Sequence, residues 1–423
     1  MTAPPKSGAA NAASAPRTRC DVAVVGAGAA GLMAAICAAE RGRSVVLLEK
    51  SPRPGLKILI SGGGRCNLTT TRSGSDLEAQ YGARRGRFLR HALRSFPPAA
   101  LRAFIEAAGV PLQEEDLEKL FPVSQRARDV VEALLLRCHD RNVDLRLEAA
   151  VVALGRDGDG FVLSTARGEV AARSVVLATG GLSYPKTGAT GDGYAFCRSF
   201  GHTITRTFPA LAPLAVGPGW VRELQGIVVH DVAIASHDAN GKLLCTRQRP
   251  ILFTHKGLSG PAPMDLAGDI EEAEGRGGVR FDFVPGVAAD ELERQWLAAT
   301  AGTGTQKVEG LLPPHLPARL RAALCGLAGC ATSTLANWSR DSRRRLLTTL
   351  KDLRVPVARS LGYDHAEVTR GGVDLQEVDA RTMQSKRTPG LYVCGELLDV
   401  DGPIGGFNFQ AAFATGRLAG LHA

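Results

Sequence analysis

No C-x-x-C pair occurs anywhere in the 423 residues, and the nine cysteines are an odd number. Neither a disulfide framework nor a zinc site is indicated, so no metal is expected. A reducing cytoplasm is the compartment that fits. Aromatics are scarce, at 5%, so the core must be built from Ala, Val and Leu. No internal repeat is visible. The opening stretch Met1 to Arg19 is rich in Ala, Pro and Ser and lacks the apolar centre of a signal peptide. It is expected to be a disordered tail.

A long hydrophobic run is almost present. Val22 to Ala39 is uncharged and mostly apolar, but Gly26, Gly28 and Gly31 break it into strand, tight turn and helix rather than a membrane span. The formal charge is +9, from 51 Lys and Arg against 42 Asp and Glu. The densest basic stretches, Arg84 to Arg94 and Arg340 to Arg345, lack the interleaved aromatics that stack on bases. They read as solvated helix faces, and neither a nucleic-acid nor a membrane partner is expected.

What is abundant is glycine, 49 residues in all. Val22 to Val25, Ala29 to Arg41 and Ser44 to Leu48 have the patterns of strand, small-residue helix and strand, a βαβ unit. Helical spacing follows over Ala99 to Ala108 and Ala127 to His139. Strand-like patterns cover Val143 to Val152, Gly160 to Thr165 and Ser174 to Ala178. From His202 to Phe283 the chain alternates apolar and polar residues, as an antiparallel sheet or small barrel does. Asp290 to Leu350 is helical again, and the α/β texture returns with the strand Leu391 to Cys394 and a helix from about Asn408 to Leu421. The expected architecture is therefore α/β. A Rossmann-like domain, residues 20–200 and 352–423, is interrupted by a sheet or barrel over 201–285 and a helical subdomain over 286–351.

Gly26-Ala27-Gly28-Ala29-Ala30-Gly31 matches G-x-G-x-x-G directly after a strand. Gly26 permits the tight turn, Gly28 lets a pyrophosphate touch the backbone, and Gly31 lets helix pack on strand. The helix N-terminus offers free N–H groups to the phosphates. Glu49 closes the second strand, where it can accept hydrogen bonds from both ribose hydroxyls, and its charge disfavours a 2′-phosphate. NAD and FAD remain. Ser61-Gly62-Gly63-Gly64-Arg65-Cys66-Asn67 offers another close backbone approach with two added donors. Gly395-Glu396, Asp399, Gly402 and Gly405-Gly406 precede the final helix. A simple NAD fold needs no such second grip, whereas FAD does. Glu396 suits a ribityl hydroxyl, and the final helix can aim its positive end at flavin N1 and O2.

These segments resemble the YhiN/BaiN-like family of bacterial FAD-dependent, aminoacetone-oxidase-like oxidoreductases. The resemblance runs from about Asp21 to Gly420. It is carried by Lys57-Ile58-Leu59-Ile60 with Ser61 to Asn67, by Ala178-Thr179-Gly180-Gly181-Leu182-Ser183-Tyr184-Pro185-Lys186-Thr187-Gly188, by Leu252-Phe253-Thr254-His255 with Gly257 and Ser259-Gly260-Pro261, and by Gly395-Glu396 with Leu398 to Gly402. Lys119-Leu120, where the family usually has Gly-Arg, and Lys256 depart from its pattern. The resemblance implies an insertion of β-barrel plus helical subdomain that covers the flavin. The expected cofactor contacts are Gly26, Ala27, Gly28, Ala29, Ala30, Gly31, Glu49, Lys50, Lys57, Gly64, Arg65, Cys66, Asn67, Val152, Thr179, Gly180, Gly395, Glu396, Asp399, Gly405, Gly406 and Asn408.

For the reaction, hydride transfer from flavin N5 needs positioning and a proton donor. His255, in a glycine-bounded loop after a strand, is the candidate donor, and Tyr184 and Lys186 can orient a carbonyl. Cys66 and Cys394 lie beside flavin motifs but read as buried apolar residues. With one dinucleotide turn in the sequence, NAD(P)H is expected as a transient co-substrate that reduces the flavin. A small conjugated carbonyl compound is the expected acceptor. A flavoprotein acting on RNA and an oxidase of small amines are the alternatives.

Overall fold

The computed structural model describes residues 17–274, 276–300 and 304–423. The tail expected over Met1 to Arg19 lies outside these residues except at its end. There the chain is ordered: Thr18 and Arg19 already belong to the first strand, and Arg17 pairs with Asp157.

The strand β1 (Thr18–Val25), the helix α1 (Ala29–Glu40) and the strand β2 (Val45–Leu48) form the βαβ unit. β1 runs parallel to β2 on one side and to the strand Gly168–Leu177 on the other. Asp144–Arg146 extends the parallel sheet beyond β2, and Leu391–Val393 lies parallel to the end of Gly168–Leu177. The beginning of that long strand pairs instead with Gly160–Thr165, which pairs with Val151–Asp157, both antiparallel. The single strand expected over Val143 to Val152 is thus two, with Glu148 in left-handed backbone between them.

α1 is buried from Ala29 to Ala38, as a helix covered on all sides must be. Its small residues admit the C-terminal helix (Phe407–His422) at backbone distance. A Cβ at Gly416 would stand 2.2 Å from the Ala30 carbonyl oxygen. The two ends of the chain are thereby packed against one another over the same sheet.

A second hydrophobic core is drawn from residues between Ala212 and Ala366. Its sheet has eight antiparallel strands, in the order Val228–Val229, Ile251–Thr254, Gly257–Ser259, Leu214–Val216, Leu353–Ser360, Gly278–Asp282, Ala233–His237 and Leu243–Gln248. Among the described residues no ladder joins its two outer strands, so the sheet expected as a barrel is left open there. The helices Ala289–Thr300, Ala318–Leu327 and Arg340–Lys351 pack on it. Leu353–Ser360, expected on the cofactor side of a boundary at 351, pairs with Leu214–Val216 and Gly278–Asp282 of the inserted sheet. The chain returns only afterwards. Its outgoing and returning crossings, Phe208–Ala210 and Val368–Arg370, lie side by side as a two-stranded antiparallel ladder.

Candidate active site

A cleft of about 520 Å³ runs from the turn after β1 to the N-terminus of the C-terminal helix. Its first end is built by the βαβ unit. Gly28 has ordinary backbone angles, and a Cβ there would meet nothing within 4 Å, so the space above it belongs to the cleft. Gly31 does not line the cleft. A Cβ there would lie 1.8 Å from the Gly26 carbonyl oxygen, so its role is the close packing of α1 on the turn. The Glu49 carboxylate accepts from the Ala27 N–H and the Ser51 N–H, both at 2.8 Å, which fixes it at the cleft wall. Lys50 reaches across to Asp192 at 2.6 Å. Burial works against the Asp192 carboxylate, but Lys50 and Thr190 hold it below the usual carboxylate range.

In the middle stand Gly62, Gly63, Arg65, Asn67, Thr179 and Gly180. Arg65 lies over the Phe121 ring and pairs with Glu115 at 2.8 Å. Thr179 lines the cleft, but its hydroxyl is buried behind the wall without a hydrogen-bond partner, close against Gly193. With its amide turned to satisfy both neighbours, Asn67 donates to the Thr69 carbonyl at 3.2 Å and accepts from the Gly406 N–H at 3.0 Å. It thus ties the glycine loop to the start of the C-terminal helix.

At the far end Gly395, Glu396, Gly405, Gly406 and Asn408 line the cleft together with Phe121, Leu211, Val368, Pro403 and Ile404. Glu396 is held by three donors: Lys57 Nζ at 2.7 Å, the Ser183 hydroxyl at 2.7 Å and the Thr369 N–H at 2.9 Å. The insertion grips the same region. Asp265 accepts from the Ile404 N–H at 2.8 Å, and Arg249 donates to the Ile404 carbonyl at 2.8 Å while pairing with Asp265 at 3.1 Å.

The cleft thus brings together Gly26, Ala27, Gly28, Ala29, Ala30, Glu49, Lys50, Lys57, Arg65, Asn67, Thr179, Gly180, Gly395, Glu396, Gly405, Gly406 and Asn408. Five other expected contacts fall elsewhere. Gly31 packs behind the turn, as above. Gly64 lies just outside the lining, where Gly62 and Gly63 stand in its place. Cys66 is wholly buried behind that loop, and burial pushes its thiol up to about 12, which makes it an inert apolar residue. Val152 is 71% exposed, and Val151 lines the cleft instead, in step with the inward-facing Val143, Leu145 and Ala149. Asp399 is buried in an ion pair with Arg84 and Arg85.

His255 is also displaced. It sits exposed at the tip of the hairpin between Ile251–Thr254 and Gly257–Ser259, where the Thr254 hydroxyl accepts the Gly257 N–H, and it is not part of the cleft. The glycine-bounded loop is a hairpin turn. Tyr184 does line the cleft, whereas Lys186 does not.

Sequence reasoning missed Glu367 and gave Lys119 no part in the site. Both line the far end of the cleft. Glu367 is exposed to the open cleft, and protein crowds it on its other sides. That crowding, with Asp265 nearby, raises its carboxyl toward about 7 against the pull of Lys119 and Lys57. Burial, with Arg249 and Arg65 close by, lowers the Lys119 ammonium from its ordinary range, against Glu367 and Glu115. A lone glutamate before Val368-Thr369-Arg370-Gly371-Gly372 carries no motif; only the glycine pair closing a short strand hints at a turn near a ligand.

No group of three or more His, Cys, Asp or Glu able to hold a metal ion exists among the described residues. Nor is any helix among them long and apolar enough to cross a membrane.

The family model described as the HI0933-like protein Rossmann domain matches residues 20–422. Over 403 residues the chain is 34% identical to the ribosomal RNA dihydrouridine synthase of Escherichia coli K12, covering 94% of this chain and 96% of that one. Over 405 residues it is 30% identical to the 3-dehydro-bile acid delta(4,6)-reductase of Clostridium scindens, covering 94% and 98%. Among solved structures, a 3-ketosteroid delta1-dehydrogenase from Sterolibacterium denitrificans superimposes with a TM-score of 0.52 at 16% identity, covering 96% of this chain and 99% of that one, a likeness of fold alone.

Proposed function

This chain belongs to the HI0933-like family of FAD-dependent oxidoreductases, and on that premise we propose that it reduces a ring carbon–carbon double bond conjugated to a carbonyl, with NAD(P)H as electron source. The observation that carries the reading is one continuous cleft with two unlike ends. Glu49 and Gly28 make an adenosine and pyrophosphate end, and a far end walled by Phe121, Leu211, Val368 and Ile404 also holds Lys57, Lys119, Tyr184 and Glu367.

The residues present fit FAD. The open space over Gly28 and the fixed Glu49 carboxylate are a cradle a nucleotide fills. Gly405, Gly406 and Asn408 at the helix N-terminus suit the electron-rich edge of a flavin. When bound, the flavin supplies hydride chemistry at N5. The protein's own contributions are a pocket between Phe121, Leu211, Val368 and Ile404, and polar groups that orient a carbonyl. Among the described residues one dinucleotide turn is present, and FAD takes it. NAD(P)H and the acceptor therefore use the same edge in turn.

The two relatives support the bond type. Dihydrouridine is uridine with two hydrogens added across a ring double bond beside a carbonyl, and a delta(4,6)-reductase acts on conjugated double bonds of a ring ketone. A uracil base in RNA is the second reading. It is favoured by the relative at 34% identity and by the formal charge of +9. The experiment is product analysis with NADPH or NADH as donor. A cyclic enone gaining two hydrogens supports the small-molecule reading, and dihydrouridine appearing in ribosomal RNA supports the second. Hydrogen peroxide from small amines, with neither product, leaves an oxidase instead.

A further inference from the structure

The charged residues of the cleft divide into those already committed to a partner and a few that are not. Glu49 holds two backbone N–H groups, Lys50 holds Asp192, Lys57 holds Glu396, and Arg65 holds Glu115. Among the described residues, Arg53, Lys119 and Glu367 line the cleft with no side-chain hydrogen bond or ion pair. Arg53 follows closely on Glu49 in sequence, and a guanidinium does not give up its proton. Lys119 and Glu367 share the far end with the phenol of Tyr184.

The fold also fixes the backbone of Glu367. Its N–H donates to the Leu211 carbonyl at 3.0 Å. It stands at the head of the returning strand Val368–Arg370, paired with the outgoing one. The backbone is pinned between both crossings while the carboxyl is left free in the cleft. A carboxyl with no committed partner, carried on a fixed backbone beside the reacting centre, can give its proton to a substrate positioned there.

We propose that Glu367 is the proton donor of the reaction, its carboxyl protonating the carbon next to the substrate carbonyl. This rests on the reductase reading given above. In the balanced step, the flavin, when bound and reduced, would supply the hydride that forms a C–H bond at the far carbon of the double bond. The π electrons move toward the carbonyl, and the carbon beside it takes the Glu367 proton. Glu367 is left as a carboxylate and regains a proton from water.

The groups facing Glu367 are Asp265, Lys119, Lys57 and Tyr184. The protein crowded round it and Asp265 raise its carboxyl toward about 7, which favours the acid form, and a ligand filling the cleft would remove the water it still meets. The Tyr184 phenol, raised by burial and by Glu367, is the weaker acid.

The test uses the FAD-loaded protein, reduced with dithionite and mixed without oxygen with cyclohex-2-enone or with uracil-containing ribosomal RNA. Glu367→Gln should keep its flavin content and melting temperature. Its flavin should be reoxidised at least tenfold more slowly than in the wild type, within the ~10²–10⁴ a positioned acid contributes. The wild-type rate should fall as pH rises through about 7, and that break should vanish in Glu367→Gln. Infrared titration of the resting protein, with no acceptor present, should show a carboxylic acid band lost over the same range and absent from the variant. Reoxidation of Glu367→Gln at the wild-type rate would overturn the proposal. So would a pH break that survives in it, or a loss confined to Tyr184→Phe or Lys119→Met. A wild-type protein that passes electrons to neither acceptor sinks the reductase reading itself, and the proposal with it.

Discussion

Lys57 and Glu396, 339 positions apart in the chain, meet at 2.7 Å inside the cleft. One comes from the helix that follows the βαβ unit and the other from the turn after the last strand. Ser183 bridges them, donating to Glu396 at 2.7 Å while accepting from Lys57 at 2.8 Å. The cofactor end of the fold is thus closed by contacts between segments that are remote in sequence.

Lys57→Met removes the charge and leaves Glu396 with Ser183 and the Thr369 N–H. A hydrogen bond to a charged group of this kind contributes about 1.5–3 kcal/mol. The side chains are 23% and 16% exposed, so solvent screening puts the expected loss at the lower end. Thermal unfolding should show a lower melting temperature with and without FAD. An unchanged melting temperature in both states would mean that the pair does not hold the two segments.

The glycines of the first turn separate cofactor binding from folding. Gly28→Val places a side chain in open space and keeps allowed backbone angles, so the apoprotein should melt as the wild type does. It should purify colourless because the phosphates are displaced. Gly31→Val drives a side chain into the Gly26 carbonyl oxygen and should destabilise the apoprotein itself. Equal melting temperatures for the two apoproteins would contradict this division.

Glu49→Ala removes the acceptor for the Ala27 and Ser51 N–H groups together with the expected ribose contact. Charge-assisted hydrogen bonds worth about 1.5–3 kcal/mol correspond to FAD binding weaker by ~10–150-fold. Titration of apoprotein with FAD, followed by flavin fluorescence, measures the change. Full affinity in the variant would remove Glu49 from the site.

How much of this was legible in the sequence depends on how local each signal is. The βαβ turn, Glu49 and the final helix were readable because G-x-G-x-x-G, a following acid and a small-residue helix are contiguous patterns. Val152 was misplaced by one residue: the inward-facing positions Val143, Leu145, Ala149 and Val151 keep one parity, and Val152 falls on the other face. Leu353–Ser360 was assigned to the wrong side because its strand pattern carries no mark of the partners it pairs with. His255 had the look of a loop residue near a glycine, but hairpin geometry aims it at solvent. Glu367 was invisible because its position depends on two chain crossings meeting, which no spacing records.

Stability against acid should depend on Glu377. Burial opposes its charge, but Arg387 and both the N–H and hydroxyl of Thr203 hold its carboxyl down to about 2. A carboxyl depressed in the folded state stabilises the fold above its unfolded value and loses that contribution as pH falls through the folded value. The window therefore lies between the ordinary carboxylate range and about 2. Glu377→Gln should be less stable than wild type at pH 7, with the gap closing across that acid range. A gap that stays constant down to pH 2 would show that the charge of Glu377 contributes nothing.

The measurement that bears most directly on the account is the flavin spectrum under anaerobic double mixing. The FAD-loaded protein is mixed first with NADPH or NADH, and then with a cyclic enone or with ribosomal RNA. The account predicts bleaching of the flavin band by at least one nicotinamide and its return when one of the acceptors is added. A flavin that neither nicotinamide bleaches, or that stays reduced in the presence of both acceptors, would contradict it.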